Sequence, residues 1–265
     1  MNEKKPEIKK RKPISNGVWT LISLAVAIVV WYLLSLGKAT GRSFPFIGKT
    51  FIQSFPLMAF QRKALWADFC SSMICVACGF GLGFVTAIPV AFLMAWYTPV
   101  QKILQPWINF IRNIPALAYA PLIVIMVGVG KTPAIILIWI CTFMTMCVTI
   151  YGGIANIDNT LVKAARVLGA NDIDIFFRIT LPATVPFIIT AVRLGLGAGL
   201  TTLLAAESTG AQAGLGMRIR ALSGTFESAP MLLYIILIGI IGTLLNKLVD
   251  FIERRLTSWQ EKREQ

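Results

Sequence analysis

Residues 17–36 run for twenty positions without a charge, long enough as a helix to cross a hydrocarbon core of about 30 Å. The length of the run and the lack of a small-residue cleavage site mark it as a permanent span rather than a signal peptide. Comparable apolar runs recur at 69–96, 114–129, 133–151, 183–206 and 230–251. The pattern predicts an all-α polytopic membrane protein with six transmembrane helices. Composition agrees: 56% hydrophobic residues, 14% charged residues and a mean hydropathy of +0.73 lie outside the range of soluble domains.

The net charge of +13 is compatible with nucleic-acid binding by its size alone, but its distribution argues against that. Lys4, Lys5, Lys9, Lys10, Arg11 and Lys12 precede the first span, and Arg254, Arg255, Lys262 and Arg263 follow the last. With both termini in the cytoplasm, sixteen of the 25 lysines and arginines lie inside and eight outside, and Arg193 falls within the fifth span. This is the positive-inside bias, and the flanking clusters also suit anionic lipid. The chain divides into a basic tail (1–16), a six-span region (17–251) and a charged tail (252–265).

Nothing in the sequence forms a catalytic or metal-binding constellation. Cys75 and Cys78 read C-x-x-C, yet there is no second pair and no histidine. The Gly-Lys-Thr triplets at 48–50 and 130–132 lack the glycine that a phosphate-binding loop needs five residues earlier, where Ser43 and Ile125 stand. Between the first two spans Phe51, Phe55, Met58, Leu65 and Phe69 recur at helical spacing and suggest an interfacial helix interrupted at Pro56. Gly79 with Gly83, and the run Gly195, Gly197 and Gly199, supply close-packing faces.

The segment 158–182 is a polar island between the fourth and fifth runs. Leu161, Ala164, Ala165 and Leu168 fall on one face of a short helix, with Lys163 and Arg166 off it. Gly169 stops that helix, and Asn171 caps a second one whose apolar face is Ile173, Phe176 and Phe177. Pro182 is placed to open the fifth span. Such a segment has the form of something a partner grips.

The order Ala164-Ala165, Gly169, Ile179, Leu181-Pro182 resembles the EAA loop of the inner-membrane permeases of binding-protein-dependent ABC importers. In that family the loop is a coupling helix that docks on the ATPase, so the resemblance implies coupling roles for Leu161, Lys163, Ala164, Ala165, Leu168, Gly169, Ile179, Leu181 and Pro182. The family's first position is usually Glu and is Lys163 here, so the salt bridge that this acid would make is not implied. The resemblance further implies a type I importer fold, two ATPase subunits that bind the ATP, an extracytoplasmic solute-binding protein and a second permease copy, in a bacterial inner membrane. The chain itself is then a permease without a cofactor or an enzyme activity of its own.

Arg112-Asn113-Ile114-Pro115 with Pro121-Leu122, and Ala206-Glu207-Ser208 with Gly214-Leu215-Gly216, resemble runs of the nitrate, sulfonate and taurine group. Members of that group also carry bicarbonate or vitamin precursors. Where the group commonly has Trp-Phe-Gly, this chain has Met126-Val127-Gly128. Candidate pathway residues are Arg112, Pro115, Pro121, Arg193 and Glu207. The prolines fit either a pathway-lining discontinuity or a packing kink. Arg193 fits either an anionic cargo or a pairing within the bundle, since an unpaired cation at mid-bilayer costs about 2.5–3.5 kcal/mol. A secondary transporter or channel working without an ATPase is the rival reading; it favours several intramembrane acids or an internal repeat, which the sequence does not show.

Overall fold

The computed structural model describes residues 16–37, 44–56, 58 and 64–257. Among these residues all regular structure is helical: α1 (Asn16–Leu36), α2 (Ala64–Trp96), α3 (Thr98–Arg112), α4 (Ala116–Val127), α5 (Lys131–Ala155), α6 (Asn159–Val167), α7 (Asp172–Gly210), α8 (Leu215–Gly224) and α9 (Ser228–Leu256). Apart from Asn16, the basic tail 1–16 lies outside the described residues, as does 258–265.

The bundle is built around α5. Gly79 and Gly83 of α2 sit against Ile138 and Thr142, and a Cβ at either glycine would collide with them. From the other side Gly195 and Gly199 of α7 approach Met146, Thr142 and Ile138. Helices can come this close only where no side chain intervenes, which is why the glycines repeat every four residues. Gly81 and Gly197, half a turn away in each run, meet nothing within 4 Å. The seam continues inward with Gly153 against Phe187, and buried Leu137, Ile138, Met146, Cys147 and Ile150 line it.

Five helices, α1, α2, α5, α7 and α9, are long and apolar enough to cross a membrane. The expected third span differs. It is the twelve-residue α4, about 18 Å long, joined to α3 at 100°. The break falls at Pro115, which caps α4 with extended backbone, whereas Pro121 lies inside the helix without ending it. The stretch between the second and third apolar runs is the amphipathic α3. The six-span count therefore holds if the bent pair counts as one span.

Three further boundaries move. The fifth run does not begin at Pro182: α7 is continuous from Asp172 and passes through a π turn, Phe176–Thr180. The widened turn ends just before Pro182, where the ring would otherwise abut the Arg178 carbonyl. The charged tail is helical as far as Leu256 because α9 overruns its apolar stretch, with the Arg255 guanidinium 5.6 Å from the Phe251 ring. The stretch expected to form an interfacial helix is helical at 47–56, as a π turn, Lys49–Gln53, followed by one turn, Ser54–Pro56, and residues 57 and 59–63 lie outside the described residues. Met58 and Leu65 point into the bundle beside Leu215, Leu222 and Tyr234, because the hydrophobic positions there have a core to join. By contrast α1 stands at the edge, tied by the Trp31 indole donating to the Pro45 carbonyl at 3.0 Å.

The clasp on α5 gives a paired test. Gly83→Leu should destabilise the detergent-solubilised protein by about 1–3 kcal/mol through overpacking. Gly81→Leu, facing open space, should stay within about 0.5 kcal/mol of wild type. Thermal unfolding of the two variants side by side checks this.

Candidate functional site

The segment 158–182 is held rigid by local hydrogen bonding. Asp158 caps α6, its Oδ1 accepting from the Thr160 amide at 2.8 Å, and this bond holds the carboxyl below the usual carboxylate range. At the other end Gly169 has φ +84°, its amide donates to the Arg166 carbonyl and the Ala170 amide to the Ala165 carbonyl. These two bonds make a Schellman cap, whose left-handed position glycine fills without strain. Asn171 then caps α7, accepting from the Asp174 amide at 2.8 Å, and Arg166 reaches across the turn to Asp172 at 2.8 Å.

The apolar face of α6 points away from the protein. Leu161 and Ala164 are exposed, and Leu168 is 86% exposed with Val167 at 88%. Ala165, expected on the same face, is half-buried on the side turned to the bundle. There Val162 and Arg166 border a cavity of about 350 Å³ shared with Gln101, Tyr151 and Thr180. Lys163 is exposed and Gly169 sits at the tip. On α7 the anchoring residues are Ile175, which is buried, and Phe176, edge-on to Phe92 and Trp96 of α2 at 5.3 and 5.5 Å. Ile173 and Phe177, expected in that face, are largely exposed, and Ile175 was missing from it; the first turn is rotated from the expected setting because α7 continues into the π turn. Ile179 and Leu181 are half-buried and Pro182 is exposed.

The five candidate pathway residues do not converge. Arg112 and Pro115 are exposed at the corner between α3 and α4, and Pro121 is exposed midway along α4. Arg193 donates to Asp250 at 2.7 Å and Glu253 at 2.6 Å, both on α9. Glu253 belongs to the charged C-terminal end of that helix, so Arg193 lies level with it rather than deep in the apolar layer.

Glu207 is fully buried at the opposite end of α7 and belongs to a lock around α8. Three successive amides at the start of α8 each donate to a side chain from another helix. Gly214 donates to Asp68 Oδ1 at 3.2 Å, Leu215 to Ser72 Oγ at 2.9 Å and Gly216 to Glu207 Oε2 at 2.8 Å. Ser72 in turn donates to Glu207 Oε1 at 2.6 Å. The second Asp68 oxygen accepts from Arg218 Nε at 2.8 Å and from the Tyr234 hydroxyl at 3.1 Å. A Cβ on Gly214, whose φ is +148°, would run into the Glu207 carboxylate. The partial positive charge of the α8 N-terminus suits the two acids.

Sequence reasoning missed Asp68, Ser72, Arg218 and Tyr234. The available signal was an acid and two serines, Asp68, Ser71 and Ser72, at the edge of an otherwise apolar run. The geometry at Arg193 yields a graded expectation. Asp250→Asn or Glu253→Gln alone should cost less than about 1 kcal/mol, as these groups are about two-fifths exposed. Arg193→Met, which leaves two facing carboxylates without their cation, should cost more than either, as read from thermal unfolding in detergent.

With this geometry in place, comparison with known proteins is direct. Residues 79–258 match the family described as binding-protein-dependent transport system inner membrane component. A Brucella abortus chain named probable ABC transporter permease protein is 39% identical over 242 residues, covering 91% of this chain and 95% of that one. The taurine transport system permease protein TauC of Escherichia coli is 31% identical over 257 residues, 95% of this chain and 94% of its own length. In fold, the chain superposes on an inward-facing structure of the MetNI methionine ABC transporter with a TM-score of 0.62 at 22% identity, covering 77% of this chain and 99% of that one. The chain belongs to the inner-membrane components of binding-protein-dependent transport systems, as a multi-pass ABC importer permease of the nitrate, sulfonate and taurine group.

Proposed function

We propose that the segment 158–182 is the surface by which an ATPase subunit drives this permease. The observation that carries the reading is an apolar face, Leu161, Ala164 and Leu168, left uncovered on a segment pinned at both ends by caps and an ion pair. An idle loop has no reason to hold apolar residues rigidly in water. From that surface α7 runs without a joint from Asp172 to Gly210, about 58 Å of helix, so a push on the segment is transmitted to the far side of the bundle.

In this reading ATP is bound by the partner ATPase and the permease carries no cofactor. A second copy of the chain completes the pathway, both termini are cytoplasmic, and an extracytoplasmic solute-binding protein delivers the cargo. ATPase closure draws the two coupling segments together, and the helices rock so that the pathway opens outward. Arg112, Pro115 and Pro121, along a bent and exposed stretch, are its proposed wall. The relative named for taurine supports a small anionic or organic cargo such as taurine, another sulfonate, nitrate, bicarbonate or a vitamin precursor. The rival, transport without an ATPase, leaves the uncovered coupling face unexplained.

Gly169→Val puts a β-branched residue at φ +84°, and Leu168→Asp places a charge on the uncovered face. Both variants should insert normally yet lose at least about tenfold of the ATPase subunit that co-purifies with the tagged wild-type chain, corresponding to about 1.4 kcal/mol of docking energy. Undiminished recovery of the ATPase with both variants refutes the assignment.

A further inference from the structure

We propose that α8, which closes the outer end of the bundle, is a fixed strut moving as one body with α2, α7 and α9, and that opening at this end takes place along α4. The inference rests on the transport reading above.

The two edges of α7 at this level differ in kind. On one edge, Asp68 and Ser72 of α2 and Glu207 of α7 meet α8 through the three consecutive amides and Arg218, and Tyr234 of α9 donates to the same Asp68 carboxylate. Ser71 also donates to the Ala213 carbonyl at 3.1 Å, and Arg220 to that of Ser208. Asp68, Ser72 and Glu207 are at most 1% exposed, so displacing α8 would strand two carboxylates in a buried, water-poor setting. On the other edge α4 holds to its neighbours without one side-chain hydrogen bond or ion pair among the described residues. Its outer link is a single backbone bond from the Gly130 amide to the Gly210 carbonyl at 3.0 Å. It also ends on joints: the 100° break before Ala116, and Gly128 and Gly130 at φ +85° and +144°. Jointed ends and a contact that is apolar throughout, with Ala120 in the core and Val124 against Gly210, suit a moving element, whereas a hydrogen-bonded buried network suits a stationary one.

Hydrogen exchange on the full chain, purified in lipid nanodiscs with its co-purifying ATPase, tests this. Nucleotide-free complex is compared with complex trapped by ATP and vanadate, in peptides spanning 127–131 and 213–217. The strut predicts exchange at 127–131 rising by about tenfold or more on trapping, with 213–217 unchanged. A rise at 213–217, or none at 127–131, overturns it. If no ATPase co-purifies, the importer reading falls separately and the strut is tested in the chain alone. There Asp68→Asn must speed exchange at 213–217 by about tenfold and leave 127–131 at the wild-type rate, and unchanged exchange at 213–217 overturns the proposal.

Discussion

The close approach of α2 and α7 to α5 is the constraint on which the architecture depends. Inside lipid there is no hydrophobic force between helices, so van der Waals contact at short range must hold them together. Gly79 and Gly83 on one side and Gly195 and Gly199 on the other let two backbones reach the same stretch of α5, from Ile138 to Met146. With those three helices fixed, α9 has a surface to lie on and α8 has a socket.

Among the described residues the ion pairs lie at the two ends of this apolar clasp, and the ends do different work. At one end the buried Asp68, Ser72 and Glu207 form a hydrogen-bonded network with the α8 amides, joined by the half-buried Arg218. Breaking one partner out of such a pairing typically costs about 3–5 kcal/mol. At the other, the caps of α6 and α7 and the exposed Arg166–Asp172 pair contribute far less energy, and what they fix is shape. A coupling surface needs that: a defined outline with an uncovered apolar face, on a rod stiff enough to pass displacement along α7.

The spans were legible because length and hydropathy translate directly into membrane crossing, and the glycine spacing of four named the right face of α2; on α7 Gly195 and Gly199 of the expected run make the contact and Gly197 does not. Gly169 was legible too, since a left-handed cap has a strong residue preference. What could not be read were facts about distance between remote segments. Asp68 and Tyr234 are 166 positions apart, and nothing in either residue names the other. Arg193 looked isolated because Asp250 and Glu253 stand 57 and 60 residues later in a different run. The size of the bend before α4 was hidden for another reason: Pro115 announces a break or a kink but says nothing of its angle, so the sixteen-residue apolar run was counted as one interrupted span. In α7 the π turn rotated the first turn and exchanged Ile173 for Ile175 at the anchor.

The most direct test of the central claim places a photo-activatable residue at position 168 and, separately, at position 162, in membranes that contain the whole system. Leu168 faces outward and Val162 borders the cavity beneath α6. If the segment is the coupling surface, position 168 captures an ATP-binding subunit, and position 162 captures only its own chain. Capture of lipid alone at position 168, with no ATP-binding subunit, would contradict the account.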